Sequence, residues 1–261
     1  MNGFERDGVN LCYSLAGPEG APCIVFSNSL GTDFRIWDEV VAKLPADLRI
    51  IRYDKRGHGL SDVGTRPWGM ADHVRDLAGL LDHLAVRDAV ICGLSVGGMI
   101  AQGLAAERPD LVRALILCDT AAKIGTPEMW EQRVDTAKQS GIASMADGVM
   151  ERWFTEEFRQ ANPSFPVWRN MLCRTTPEGY AGTCSAIADT DLMESTSRLR
   201  VPCLGMCGDR DLATPPDLVR ETVDLIPGSR FSLIRGAGHL PCIEQADAVA
   251  DEIRQFLSEF G

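Results

Sequence analysis

Nowhere in this 261-residue chain does an apolar run approach the ~18 residues of a membrane-crossing helix. Basic blocks are missing too: 26 Lys and Arg face 37 Asp and Glu, for a net charge of −11. A nucleic-acid binder needs a basic face that displaces counterions, and a polybasic membrane anchor needs clustered cations. No nucleic-acid partner and no membrane partner are therefore expected. The first sixteen residues are polar and lack the apolar core of a secretion signal. There is no internal repeat and no low-complexity segment. Histidine is scarce, at four residues, which narrows the search for a base.

Cysteine is plentiful, at nine residues, but the number is odd and most lie in apolar runs such as Val90-Ile91-Cys92. Such thiols read as small buried side chains in a reducing compartment, with the cytoplasm as the expected location. The remaining composition, 45% hydrophobic and 24% charged, is that of an ordinary globular chain. The length allows one large domain or two small ones.

Asp7-Gly8 between short alternating segments predicts a hairpin turn. Continuous apolar runs follow at residues 23–26, 48–53, 89–92, 115–118, 201–207 and 231–234. Runs without alternation indicate strands buried on both faces, as in a parallel sheet. Helical periodicity separates several of them, as in 70–84 (Val74, Leu77, Leu81, Leu84) and 246–256. The expected class is α/β, a mostly parallel central sheet flanked by helices. Residues 123–197 break the rhythm with helical pattern alone, and hold Trp130, Trp153 and Trp168. An insertion of about 75 residues is too long for a simple connection. It reads as a helical cap over a core made of 1–122 and 198–261.

Gly93-Leu94-Ser95-Val96-Gly97 fits G-x-S-x-G after an apolar strand and before a helical stretch, 99–107. That context forces Ser95 onto a sharp turn above the sheet as a nucleophile. A serine hydroxyl needs a base. His73 and His83 fall on the polar side of a predicted helix and read as surface residues. His58 sits in a Gly-rich turn and reads as structural. His239 follows the 231–234 strand on a loop at the sheet's C-terminal edge, where ligands bind in open α/β sheets. The orienting carboxylate is expected from the loop after 201–207, with Asp211 preferred, Asp209 competing and Asp119 an outside candidate. Oxyanion donors are expected from the Val96 amide and from the loop after 23–26, where Leu30 precedes a mobile Gly31. This chemistry requires no metal and no organic cofactor.

The Ser95 turn, the Gly208–Asp211 loop, Gly238-His239 and Asp54-Lys55-Arg56-Gly57-His58-Gly59-Leu60-Ser61 together resemble the α/β-hydrolase fold family over essentially the whole chain. Many members carry His-Gly in the oxyanion loop, whereas this chain has Asn28-Ser29-Leu30-Gly31. With Trp37, that loop resembles the 3-oxoadipate enol-lactonases. These open a small anionic enol-lactone to 3-oxoadipate during breakdown of aromatic acids. The resemblance implies a carboxylate-bearing substrate, so a local cation must outweigh the net negative charge, and arginine suits a carboxylate best. The insertion offers Arg133, Arg152, Arg159, Arg169 and Arg174. Arg133 follows Trp130 by one helical turn, so the pair is expected to supply a charge and an apolar wall, with Trp153 a further wall. Carboxylesterases, carbon–carbon bond hydrolases and perhydrolases of the same fold remain alternatives, as does a non-catalytic ligand receptor.

Overall fold

A computed structural model describes residues 1–65 and 67–260. Arg66 and Gly261, which fall in the ranges assigned to the core, lie outside the described residues. Eight strands form one sheet: β1 (Asn2–Arg6), β2 (Val9–Ala16), β3 (Cys23–Ser27), β4 (Arg49–Tyr53), β5 (Ala89–Leu94), β6 (Val112–Cys118), β7 (Cys203–Gly208) and β8 (Arg230–Ile234). Their order is β1-β2-β4-β3-β5-β6-β7-β8. The β1–β2 and β2–β4 pairs are antiparallel, and every later pair is parallel. Asp7 and Gly8 turn the first hairpin with φ of 50° and 78°, as the tight two-residue turn demands.

The apolar runs became the strands, because β3, β5 and β7 are covered on both faces and every residue in them is buried. The run at 231–234 differs. It forms β8, an edge strand paired only with β7, and only Ile234 is fully enclosed. Twelve α-helices are described: α1 (Asp38–Val41), α2 (Met70–His83), α3 (Val96–Glu107), α4 (Pro127–Ser140), α5 (Ala146–Trp153), α6 (Glu156–Ala161), α7 (Phe165–Cys173), α8 (Pro177–Ala188), α9 (Met193–Ser197), α10 (Pro216–Asp224), α11 (Pro241–Glu244) and α12 (Ala246–Leu257). The six from α4 to α9 occupy the interval between β6 and β7.

The expectation that His73 lies on the surface is corrected. His73 is 1% exposed, and Nε2 lies 3.4 Å from Thr183 Oγ1 on α8. Packing of α8 on α2 buries a second face of that helix, which the apolar stripe alone does not reveal. The same closure buries Asp76, whose carboxylate takes a two-pronged hydrogen bond from Arg56 at 2.6 and 2.7 Å. His83 is exposed, with its ring 4.9 Å from that of Phe4. Among the described residues no disulfide links any of the nine cysteines.

Candidate active site

Ser95 stands between β5 and α3 with φ 57° and ψ −122°, a backbone region that side-chain-bearing residues rarely occupy. The strain is held from several sides. The Ser95 amide donates to Cys118 O at 3.0 Å, and Ser95 O accepts from Thr120 Oγ1 at 2.6 Å. Gly93 and Gly97 make room for the turn: a Cβ on Gly93 would strike the Gly97 carbonyl, and one on Gly97 would strike Ser27 O.

Asp211 and His239 stand on the loops that follow β7 and β8. His239 Nδ1 lies 2.8 Å from Asp211 Oδ2, and both side chains are buried. Asp211 also accepts from the Ala213 amide at 2.7 Å, from the Thr214 amide at 3.1 Å and from Thr214 Oγ1 at 2.8 Å. Burial pushes this carboxyl up, but His239 and those donors together outweigh it and hold Asp211 below the usual carboxylate range. Asp211 therefore faces the imidazole as an anion, and Nε2 of His239 is left for the cavity that the residue lines.

The other acids have different partners. Asp209 accepts from the Gly236 amide at 2.8 Å and staples the His239 loop to β7. Asp119, with φ 45°, accepts from the Gly208 amide at 2.8 Å, and its second oxygen has no partner. One ligand atom each from Asp119, Asp211 and His239 lies within 4.8 Å of the others. Burial first, then the Asp211 charge, pushes the Asp119 carboxyl well above its ordinary value.

Ser95 and His239 open into a cavity of about 240 Å³. Its size is below that of drug-sized pockets and suits a small substrate. A larger groove of about 770 Å³, lined in part by Arg35, Leu60 and Val167, contains neither residue and has no nucleophile–base pair. Leu30 lines the smaller cavity. Among the described residues, neither the Leu30 nor the Val96 amide donates to a protein acceptor, so two donors are free near Ser95.

Helices α4, α5 and α8 bring Trp130, Arg133, Arg152, Trp153 and Tyr180 to the same cavity. Trp130 is anchored by its indole N–H on Ile124 O at 2.6 Å, and the Arg133 guanidinium lies 5.2 Å from the Trp130 ring centroid. Arg152 was one of five candidate cations, and Tyr180 was not singled out at all. Tyr180 reaches the cavity only because α8 packs on α4, a tertiary pairing without a local signal. Among the described residues, neither Arg133 nor Arg152 has a carboxylate partner. Burial and then the Arg133 charge hold the Arg152 guanidinium below its ordinary value. Burial pushes the Tyr180 phenol up, opposed by both arginines. Of the other cations, Arg169 pairs with Asp147 and Arg174 lines the larger groove. Met129 and Leu212, both exposed, line the cavity as well.

Glu244 joins the helical insertion to the His239 loop. One oxygen accepts from the Thr155 amide and hydroxyl at 3.0 and 2.6 Å, and the other from the Gly238 amide at 2.6 Å.

Comparison with known proteins places the chain in a family. The profile of the alpha/beta hydrolase family matches residues 24–252. The chain is 34% identical to 3-oxoadipate enol-lactonase 1 of Acinetobacter baylyi, over 93% of this chain and 91% of that protein. It superposes on the crystal structure of the enol-lactonase from Burkholderia xenovorans with a TM-score of 0.95 at 38% identity, covering 98% of this chain and 100% of that one. A malate-bound esterase from Thermogutta terrifontis gives a TM-score of 0.91 at 30% identity, covering 98% and 96%. The described helices include none long and apolar enough to cross a membrane. The chain belongs to the alpha/beta hydrolase family.

Proposed function

We propose that this protein opens the ring of 3-oxoadipate enol-lactone with water to give 3-oxoadipate, using Ser95, His239 and Asp211. The observation that carries the reading is the arginine pair. Arg133 and Arg152, without acidic partners, line the cavity that holds Ser95 and His239, in a chain of net charge −11. Beyond a Debye length of about 8 Å the distant acids are screened, so two guanidiniums at the wall decide the local potential. They suit a substrate carboxylate, while Trp130 and Trp153 provide apolar walls for a flat ring. In this reading residues 123–197 act as a cap over a core formed by 1–122 and 198–261.

In the proposed mechanism His239 Nε2 takes the Ser95 proton as Oγ attacks the lactone carbonyl carbon. Asp211 stabilises the resulting imidazolium, and the Leu30 and Val96 amides receive the oxyanion. The ring carbon–oxygen bond breaks. The departing enolate takes the proton from His239, and the enol becomes a ketone. Water, deprotonated by His239, attacks the acyl-enzyme, and Ser95 recovers its proton as the diacid leaves. An enolate leaves easily, so acid assistance matters less than it does for an amide.

The test is steady-state hydrolysis of freshly generated enol-lactone beside a neutral ester of similar size, with Ser95→Ala as control. A strong preference for the lactone that disappears in Ser95→Ala supports the reading. Equal turnover of the ester would replace it with a general carboxylesterase, a role that the apolar Trp130, Trp153 and Met129 wall also suits. Absence of turnover, with no labelling of Ser95 by an organophosphonate, would leave a ligand receptor.

A further inference from the structure

The loop Ser29-Leu30-Gly31-Thr32 is a four-residue turn closed by the Thr32 amide on Ser29 O at 3.4 Å, with Gly31 at φ 74° in its third position. Three donors converge on the Ser29 carbonyl. Besides the Thr32 amide, Thr32 Oγ1 donates at 2.9 Å and Lys55 Nζ at 2.5 Å. Lys55 Nζ also donates to Asn28 O at 3.2 Å. The Ser29 carbonyl and the Leu30 N–H belong to one trans peptide, so they point in opposite directions. Fixing the carbonyl from behind therefore fixes the aim of the amide in front. That amide is one of the two free donors beside Ser95.

Lys55 is an unusual choice for a mere staple. It follows β4, is 1% exposed, and among the described residues pairs with no carboxylate. The acid next to it, Asp54, spends its two oxygens on the Phe34 and Leu60 amides. An Asn or Gln amide, with two N–H donors, would satisfy two carbonyls without the cost of taking an ammonium out of water. A cation is worth that cost where negative charge develops during the reaction, in a site that excludes water. Polarising the Ser29–Leu30 peptide from its oxygen end also makes its N–H a stronger donor.

We infer that Lys55 is a positioning residue of the oxyanion hole, whose buried Nζ grips the Ser29 carbonyl and so aims and polarises the Leu30 amide. The inference rests on the acyl-transfer reading of the Ser95 site, but not on the identity of the substrate.

The experiment uses Lys55→Met in the full chain, with folding checked by circular dichroism. Two substrates are assayed, the enol-lactone and p-nitrophenyl acetate, because any acyl substrate needs the oxyanion hole. Inhibition by phenylboronic acid reports binding of a tetrahedral adduct on Ser95, and inhibition by the product 3-oxoadipate reports ground-state binding. Expected is a loss of kcat of roughly 10- to 100-fold on both substrates, at or below the lower end of the roughly 10²- to 10³-fold seen when an oxyanion donor is removed outright, because the Leu30 amide is still present. KM and product inhibition should stay within about twofold, while boronate affinity falls with kcat. A folded Lys55→Met with unchanged kcat overturns the inference, as does an equal loss of product and boronate binding, which marks a structural role alone. If Lys55→Met does not fold, Thr32→Val decides, since it removes one of the three donors to Ser29 O. A drop in kcat of several-fold at constant KM supports the inference, and no drop refutes it. Failure of the lactone reading is distinguishable. It appears as wild type that cleaves the aryl ester and ignores the lactone, and the Lys55 comparison then proceeds on the ester.

Discussion

On the proposed function, replacing Arg152 with methionine should make the protein more stable and slow lactone opening at once. Arg152 is half-buried, has no carboxylate partner among the described residues, and faces the like charge of Arg133. In the empty protein the two cations repel each other across a cavity wall. Removing one relieves that repulsion and a desolvation cost, together on the order of 1 kcal/mol after allowance for solvent screening. For a domain of this size that is a rise in Tm of about 2–4 °C. With substrate bound the sign reverses. A charge-assisted hydrogen bond is worth about 1.5–3 kcal/mol. Loss of about 2 kcal/mol lowers kcat/KM for the anionic lactone about 30-fold. The carboxylate is remote from the reacting carbonyl, so most of the loss should appear in KM. A neutral ester should change less than about twofold. The assays are thermal melts and paired steady-state kinetics on Arg152→Met, Arg133→Met and the double variant. Non-additive losses on the lactone alone would show that both guanidiniums grip one carboxylate. Parallel losses on lactone and ester, or an undiminished lactone preference, would refute the argument.

Three other outcomes follow from the geometry. Asp211→Asn should lower kcat by roughly 10³- to 10⁴-fold, whereas Asp209→Asn should keep most of its turnover and lower Tm, because only Asp211 touches His239. Steady-state assays and melts on the two variants separate these roles. Gly97→Ala places a methyl against Ser27 O and should disrupt the Ser95 turn, seen as lower Tm and weaker organophosphonate labelling. His73 gives a pH signature. Burial holds its imidazole down to about 3, while the unfolded chain binds a proton near 6.5. Between those values the unfolded state carries one more proton, so stability falls as pH falls, by about 1.4 kcal/mol per unit. In urea unfolding at pH 7.5, 6.5, 5.5 and 4.5, the stability advantage of wild type over His73→Gln should be constant above 6.5 and shrink below it. A pH-independent difference would contradict the neutral buried imidazole.

The parts of the fold that could be read from the chain were those with a local cause. Apolar runs marked the strands, and the glycines around Ser95 marked the turn, because both depend on neighbours a few residues away. Their limits were local as well. Residues 231–234 look like 89–92, but β8 lies at the sheet's edge, where half of such a run faces outward. The helix above Ser95 begins at Val96 rather than near Met99, since Ser95 itself occupies the cap position. His73, Tyr180 and Lys55 were opaque for one common reason. Each takes its environment from a segment far away in sequence: α8 on α2, α8 on α4, and the β3 loop on the residue after β4. Asp211 could be preferred over Asp209 by its place in the loop, but the separation of their roles needed His239 and the Gly236 amide in view.

Glu244 has a mechanical consequence. Its carboxylate grips Thr155, at the joint between α5 and α6, and the amide next to His239. The insertion is thus riveted on the side of the base, and a swing about that side would drag the imidazole with it. Through Glu244 a displacement of the α5–α6 joint is transmitted to the loop that carries His239, and so to the contact between His239 and Asp211.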